Sequence, residues 1–137
     1  MDVVLDSNIL FRILISQGNI LELVFDNQLK IYAPNKLKIE FLKNKDEIIE
    51  KSKLSKKDFE DLASLIFQRI NFIDEIEYSP YLIEAKNLLK EHEKDIEFVA
   101  LSLLKKIKIW TYESLLFKIE RGVSTKEIAL SLNSNDI

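Results

Sequence analysis

The spacing of apolar positions changes period several times along the chain, and each change marks a switch between strand and helix. Val3 to Leu5 is a short apolar run without helical spacing, which predicts a buried parallel strand. Ile9, Leu10, Ile13 and Leu14 then recur at helical spacing, so a helix begins with Asp6 or Ser7 as its N-cap. Gly18-Asn19 interrupts it, and Leu21 to Phe25 forms a second helical stretch. Leu29 to Ala33 reads as a second strand. Pro34-Asn35 opens a helix through about Glu50, and Lys51 to Leu54 is a turn. Ser55, with Asp58 three residues on, resembles a capping box and starts a helix through about Arg69. Asn71 to Ile73 is a third strand. Ser79-Pro80 suits a helix start, with Pro at the first helical position, and that helix runs to about Glu91. A strongly apolar helix covers Lys94 to Lys106, and a strand covers Lys108 to Thr111. Ser124 and Glu127 cap a last helix whose inward positions are Ile128 and Leu132.

Strands that alternate with helices imply an α/β fold, a parallel sheet covered by helices on both faces. A chain of 137 residues suits one domain with a real core, here spanning 1–137. With 20 Lys and Arg against 23 Asp and Glu, no large positive excess exists to hold nucleic acid by charge alone. A local basic patch remains open: Lys36, Lys38, Lys43 and Lys45 either line a path for RNA or form a solvated helix face. The chain has no cysteine and a single histidine, His92, so thiolate and histidine-rich metal sites are excluded. Any metal must be held by oxygen, which points to magnesium or manganese. No apolar run reaches the roughly 18 residues of a membrane span, and no signal peptide is evident, so a cytoplasmic location is expected.

Four acids carry the candidate chemistry: Asp6, Glu40, Asp95 and Glu113. Asp6 and Glu113 stand just past predicted strand ends, where open α/β sheets gather their ligand groups. Each acid also has a plainer reading. Asp6, Asp95 and Glu113 can cap or precede helices, and Glu40 can be a solvated helix residue. Carboxylates gathered without counter-charge repel one another, so four converging acids would require a hard cation. Ser7, Asn8 and Thr111 can support such a site by orienting a carboxylate, or can serve local capping. Arg12 reads as a solvated charge, His92 as an exposed loop residue and Trp110 as core.

The order of these residues resembles the PIN domain family, which includes the VapC-type toxin ribonucleases. The matching segments are Leu5-Asp6-Ser7-Asn8-Ile9-Leu10, Pro34 with Glu40 six residues on, Asp95 with Ala100, and Thr111-Tyr112-Glu113. The family pattern has Asp where Glu113 stands, one methylene shorter. The resemblance implies a PIN-like three-layer sandwich and metal-dependent cleavage of RNA. Asp6, Asp95 and Glu113 would then hold Mg²⁺ or Mn²⁺, and Glu40 would hold a second ion or orient the attacking water. It also implies an antitoxin partner and a two-fold homodimer, for which the apolar residues of the helical hairpin from Asn35 to Arg69 offer a surface. Two other classes stay open. One is a PIN-fold module that binds RNA or protein without cutting. The other is phosphoryl transfer of receiver or haloacid-dehalogenase type, for which Asp74 and Asn8 are respectively the wrong surroundings and the wrong residue.

Overall fold

The computed structural model describes residues 1–135, with side chains to residue 133. Its centre is a five-stranded, wholly parallel sheet in the order β3-β2-β1-β4-β5. The strands are β1 (Asp2–Leu5), β2 (Lys30–Pro34), β3 (Ile70–Ile73), β4 (Lys108–Trp110) and β5 (Gly122–Val123). Val3, Val4 and Leu5 are fully buried, as expected of a central strand covered on both faces. Backbone register places Leu5 opposite Trp110 on one side and Val4 opposite Tyr32 on the other.

Nine α-helices among the described residues surround the sheet: α1 (Ser7–Ser16), α2 (Asn19–Val24), α3 (Lys36–Ser52), α4 (Lys56–Gln68), α5 (Glu75–Tyr78), α6 (Leu82–Leu89), α7 (Ile96–Lys105), α8 (Ser114–Lys118) and α9 (Thr125–Asn135). α1 packs with α2, α3 and α4, whereas α7 packs with α5 and α6 and lies against β1 and β2. The result is the expected three-layer sandwich. Ile9, Leu10, Ile13 and Leu14 are the buried stripe of α1, and Phe98 to Ser102 bury the middle of α7 on all sides. Phe41 of α3 stacks on Phe59 of α4 and meets Phe67 edge-on, which seals the hairpin.

Two of the predicted caps are realised. The Ser55 hydroxyl accepts from Asp58 N–H at 3.1 Å, and the Ser124 hydroxyl accepts from Glu127 N–H at 3.0 Å. Ile128 and Leu132 are buried as expected. Ser79 is different. It does not cap a helix; its hydroxyl donates back to the Ile76 carbonyl, because the chain is already helical from Glu75 and passes through a 3₁₀ turn at Ser79–Tyr81. The predicted turn at Lys51 starts later, since α3 continues to Ser52 and ends at Lys53 in a left-handed conformation. The sequence reading did not anticipate α8 and β5. β5 is two residues long and owes its place to β4, with Thr111 N–H donating to the Val123 carbonyl at 3.2 Å.

Candidate functional site

The strand order reverses direction at β1 and β4: from β1 the chain winds outward to β2 and β3, and from β4 outward to β5. Loops leaving the carboxyl ends of these two neighbouring strands diverge to opposite sides, leaving a crevice between them. Asp6 is the first residue after β1, and its N–H donates to the Trp110 carbonyl at the end of β4 at 3.1 Å. Thr111 and Glu113 leave β4 into the same crevice. Asp95 enters it from the front of α7.

Asp6, Asp95 and Glu113 occupy the N-cap positions of α1, α7 and α8, yet none makes a side-chain capping hydrogen bond. Ser55 and Ser124, at equivalent positions elsewhere, do cap. The capping reading of the three acids is therefore not the one the fold realises. Each carboxylate keeps the favourable field of a helix N-terminus, and the Asn8 and Ser7 N–H groups at the start of α1 still lower the Asp6 pKa.

The three acids sense one another. Asp6 is 4% exposed, and burial pushes its carboxyl above the usual range; the Thr111 hydroxyl opposes this and the Glu113 charge adds to it. Asp95 is 3% exposed and is pushed from 3.8 up to about 7, by burial first and then by the charge and close side-chain contact of Glu113, with the Asp6 charge contributing. Thr111 organises the crevice. Its hydroxyl donates to Asp6 Oδ2 at 2.7 Å and accepts from Glu113 N–H at 3.0 Å, so one buried side chain fixes the rotamer of one acid and the backbone of another. Asn8 Nδ2 lies 3.5 Å from Glu113 Oε1.

Glu40 stands apart. It is half-buried on α3, and no hydrogen bond or ion pair joins it to the other three acids among the described residues. Its Oε1 is buried without a partner, as are Ser7 Oγ and Asp95 Oδ2. Three oxygens left bare in this way are costly unless something binds them, and all three belong to residues singled out by the sequence. Among the described residues, no group of three acids is drawn close enough together to form a ready-made ligand shell. The donor set nonetheless fits a hard cation: carboxylate and hydroxyl oxygens, raised carboxyl pKa values that an added positive charge would relieve, and bare buried oxygens. Asp6, Asp95 and Glu113 are the residues that would hold it.

Two lysines complete the crevice. Lys94 Nζ pairs with Glu113 Oε1 at 2.9 Å. Lys36 Nζ donates to the Lys94 carbonyl at 2.6 Å and to Glu97 Oε2 at 3.2 Å. Sequence reasoning left Lys36 between an RNA path and a solvated helix face and passed over Lys94. A usable signal existed: both lysines precede or begin helices, where the dipole disfavours a cation without an acidic partner. Arg12 is exposed, His92 is an exposed loop residue and Trp110 is wholly buried, its Nε1 donating to Thr125 at 2.9 Å. Asp74, the residue a receiver domain would need, lies past the edge strand β3 and accepts from Asn35 at 3.1 Å, away from the β1–β4 crevice.

The family model of the PIN domain matches residues 4–132, and the chain belongs to that family. No curated protein matches the sequence. PIN domains are generally nucleases and typically use divalent metals.

Proposed function

We propose, from the chain's place among PIN domains, that it is a metal-dependent endoribonuclease that hydrolyses RNA phosphodiester bonds. One observation supports the reading: Asp6, Asp95 and Glu113, at the starts of three helices around the ends of β1 and β4, act electrostatically on one another beside bare buried oxygens. There is no serine–histidine or cysteine–histidine pair for nucleophilic catalysis, as the chain has no cysteine and its single histidine is exposed. A bound Mg²⁺ or Mn²⁺ would offset repulsion between the acids and the anionic phosphodiester and would lower the pKa of the attacking water. Asp6, Asp95 and Glu113 hold the cation in this reading. Thr111 keeps Asp6 in a single orientation, and Asn8 steadies Glu113. Glu40, on α3 with its bare Oε1, would in this reading orient water or a second ion.

The biological setting in this reading is the toxin half of a toxin–antitoxin pair. Exposed Ile39, Leu42 and Leu65 (65%, 67% and 52% exposed) on the α3–α4 hairpin support a protein partner or a homodimer. Light scattering that reports a 16.1 kDa monomer at tens of micromolar would remove the dimer. A second reading, a PIN-fold module that binds without cutting, draws on the longer Glu113 and on its ion pair with Lys94. Incubation of single-stranded RNA with the protein in Mn²⁺ or in EDTA separates the two. Cleavage that needs the cation and disappears in Asp6→Asn supports the nuclease, and binding without cleavage in both conditions overturns it. No described helix is long and apolar enough to cross a membrane.

A further inference from the structure

We propose that Lys94 is a built-in counter-cation of the acidic crevice, which a divalent ion must displace from Glu113 before it can bind. The inference rests on the metal-dependent reading above and adds a competition within the chain itself. Lys94 Nζ sits 2.9 Å from Glu113 Oε1, the same oxygen that Asn8 approaches at 3.5 Å. Its positive charge also acts on Asp95 and Asp6. A lone ammonium is a poor substitute for a dication. It carries half the charge, donates only through its three N–H groups, and leaves Asp95 Oδ2 and Ser7 Oγ bare in residues that are each 3% exposed. Lys94 therefore neutralises the crevice in part without filling it.

The exchange requires little movement. The backbone that carries Lys94 and Asp95 is a 3₁₀ turn, Glu93–Asp95, and it is anchored by the Lys36 ammonium on the Lys94 carbonyl and on Glu97. The Lys94 side chain is 66% exposed. It can swing into solvent, still protonated, while Asp95 stays in place. Exposed pairs of this kind are weak, so a dication with several oxygen ligands outcompetes the lysine, at a cost in apparent affinity.

The test is calorimetric titration of MnCl₂ into the metal-free protein at pH 8 and fixed ionic strength, beside melting curves with and without the ion. Lys94→Met is expected to bind Mn²⁺ about threefold more tightly, equivalent to about 0.7 kcal/mol. Without metal it should melt below the wild type, and saturating Mn²⁺ should close that gap. Lys94→Arg keeps the charge and should keep the wild-type affinity. Lys57→Met removes an exposed lysine at the start of α4 and should change nothing. Equal affinity in Lys94→Met and the wild type overturns the role of Lys94 and leaves the metal site standing. Tightening by Lys57→Met to the same degree overturns it as well, as a general charge effect. No binding by any variant overturns both this inference and the metal-dependent reading.

Discussion

Replacing Asp95 with Asn isolates the cost of keeping a carboxylate in this crevice. Asp95 ionises near 3.8 in the open chain but at about 7 in the fold, because it is buried beside Glu113 and Asp6. Between those two values the folded protein binds more protons than the unfolded one, so stability must fall as pH rises through that window. Each pH step of delayed ionisation is worth about 1.4 kcal/mol, so the whole delay amounts to about 4 kcal/mol by the time Asp95 is fully ionised. Asparagine carries no such charge and nearly matches aspartate in volume. In metal-free buffer the Asn variant should therefore equal the wild type near pH 4 and exceed it above pH 7. For a domain of this size, a gain of about 4 kcal/mol raises the melting temperature by roughly 10–15 °C. Because the charges of Glu113 and Asp6 both act on the Asp95 carboxyl, the transition should look broad. Adding Mg²⁺ or Mn²⁺ should narrow the gap, since a cation makes the charged carboxylate favourable in the wild type alone. Thermal or urea melts from pH 4 to pH 8 measure it directly. Parallel stability curves for the two proteins would show that Asp95 carries no destabilising charge and would refute the electrostatic account of the crevice.

Other perturbations probe the same site from different sides. Asp6→Asn keeps an oxygen to accept from Thr111 and removes a charge whose ionisation is already disfavoured; nuclease activity should fall by at least about 100-fold, with stability at neutral pH unchanged or higher. A loss of several kcal/mol would make Asp6 a structural group instead. Thr111→Val matches the shape but strands Asp6 Oδ2 and Glu113 N–H, at about 1–3 kcal/mol, and should raise the Asp6 carboxyl pKa further; an unchanged urea midpoint would refute the organising role of Thr111. Divalent cation at 100 times its dissociation constant should stabilise the wild type by about 2.7 kcal/mol, and a melt unmoved by millimolar Mg²⁺ or Mn²⁺ would count against the site.

The elements that rest on local chemistry were legible in the sequence. β1 could be read because Val3, Val4 and Leu5 have no polar neighbour to pull one face into water, and α1 because its four inward residues keep a helical period. The Ser55 and Ser124 caps could be read because a hydroxyl and an N–H three residues on meet without help from the rest of the fold. The order of the four acids could be read from the sequence; three of them, Asp6, Asp95 and Glu113, act on one another in the fold, and Glu40 stands apart. The tertiary structure alone decided which of those acids meet. N-cap positions looked like caps for Asp6, Asp95 and Glu113, and only the meeting of β1 with β4 and α7 turned the carboxylates toward one another. The same contacts made β5, a strand of two residues that pairing with β4 holds in place. Lys94, just before the start of α7, could be flagged as a cation in want of an acidic partner, but not matched to one. Its partner Glu113 lies far along the chain, and a long-range charge pair has no local signature. Local propensity acts over a few residues, whereas desolvation and Coulomb coupling depend on neighbours that only the folded chain brings within reach.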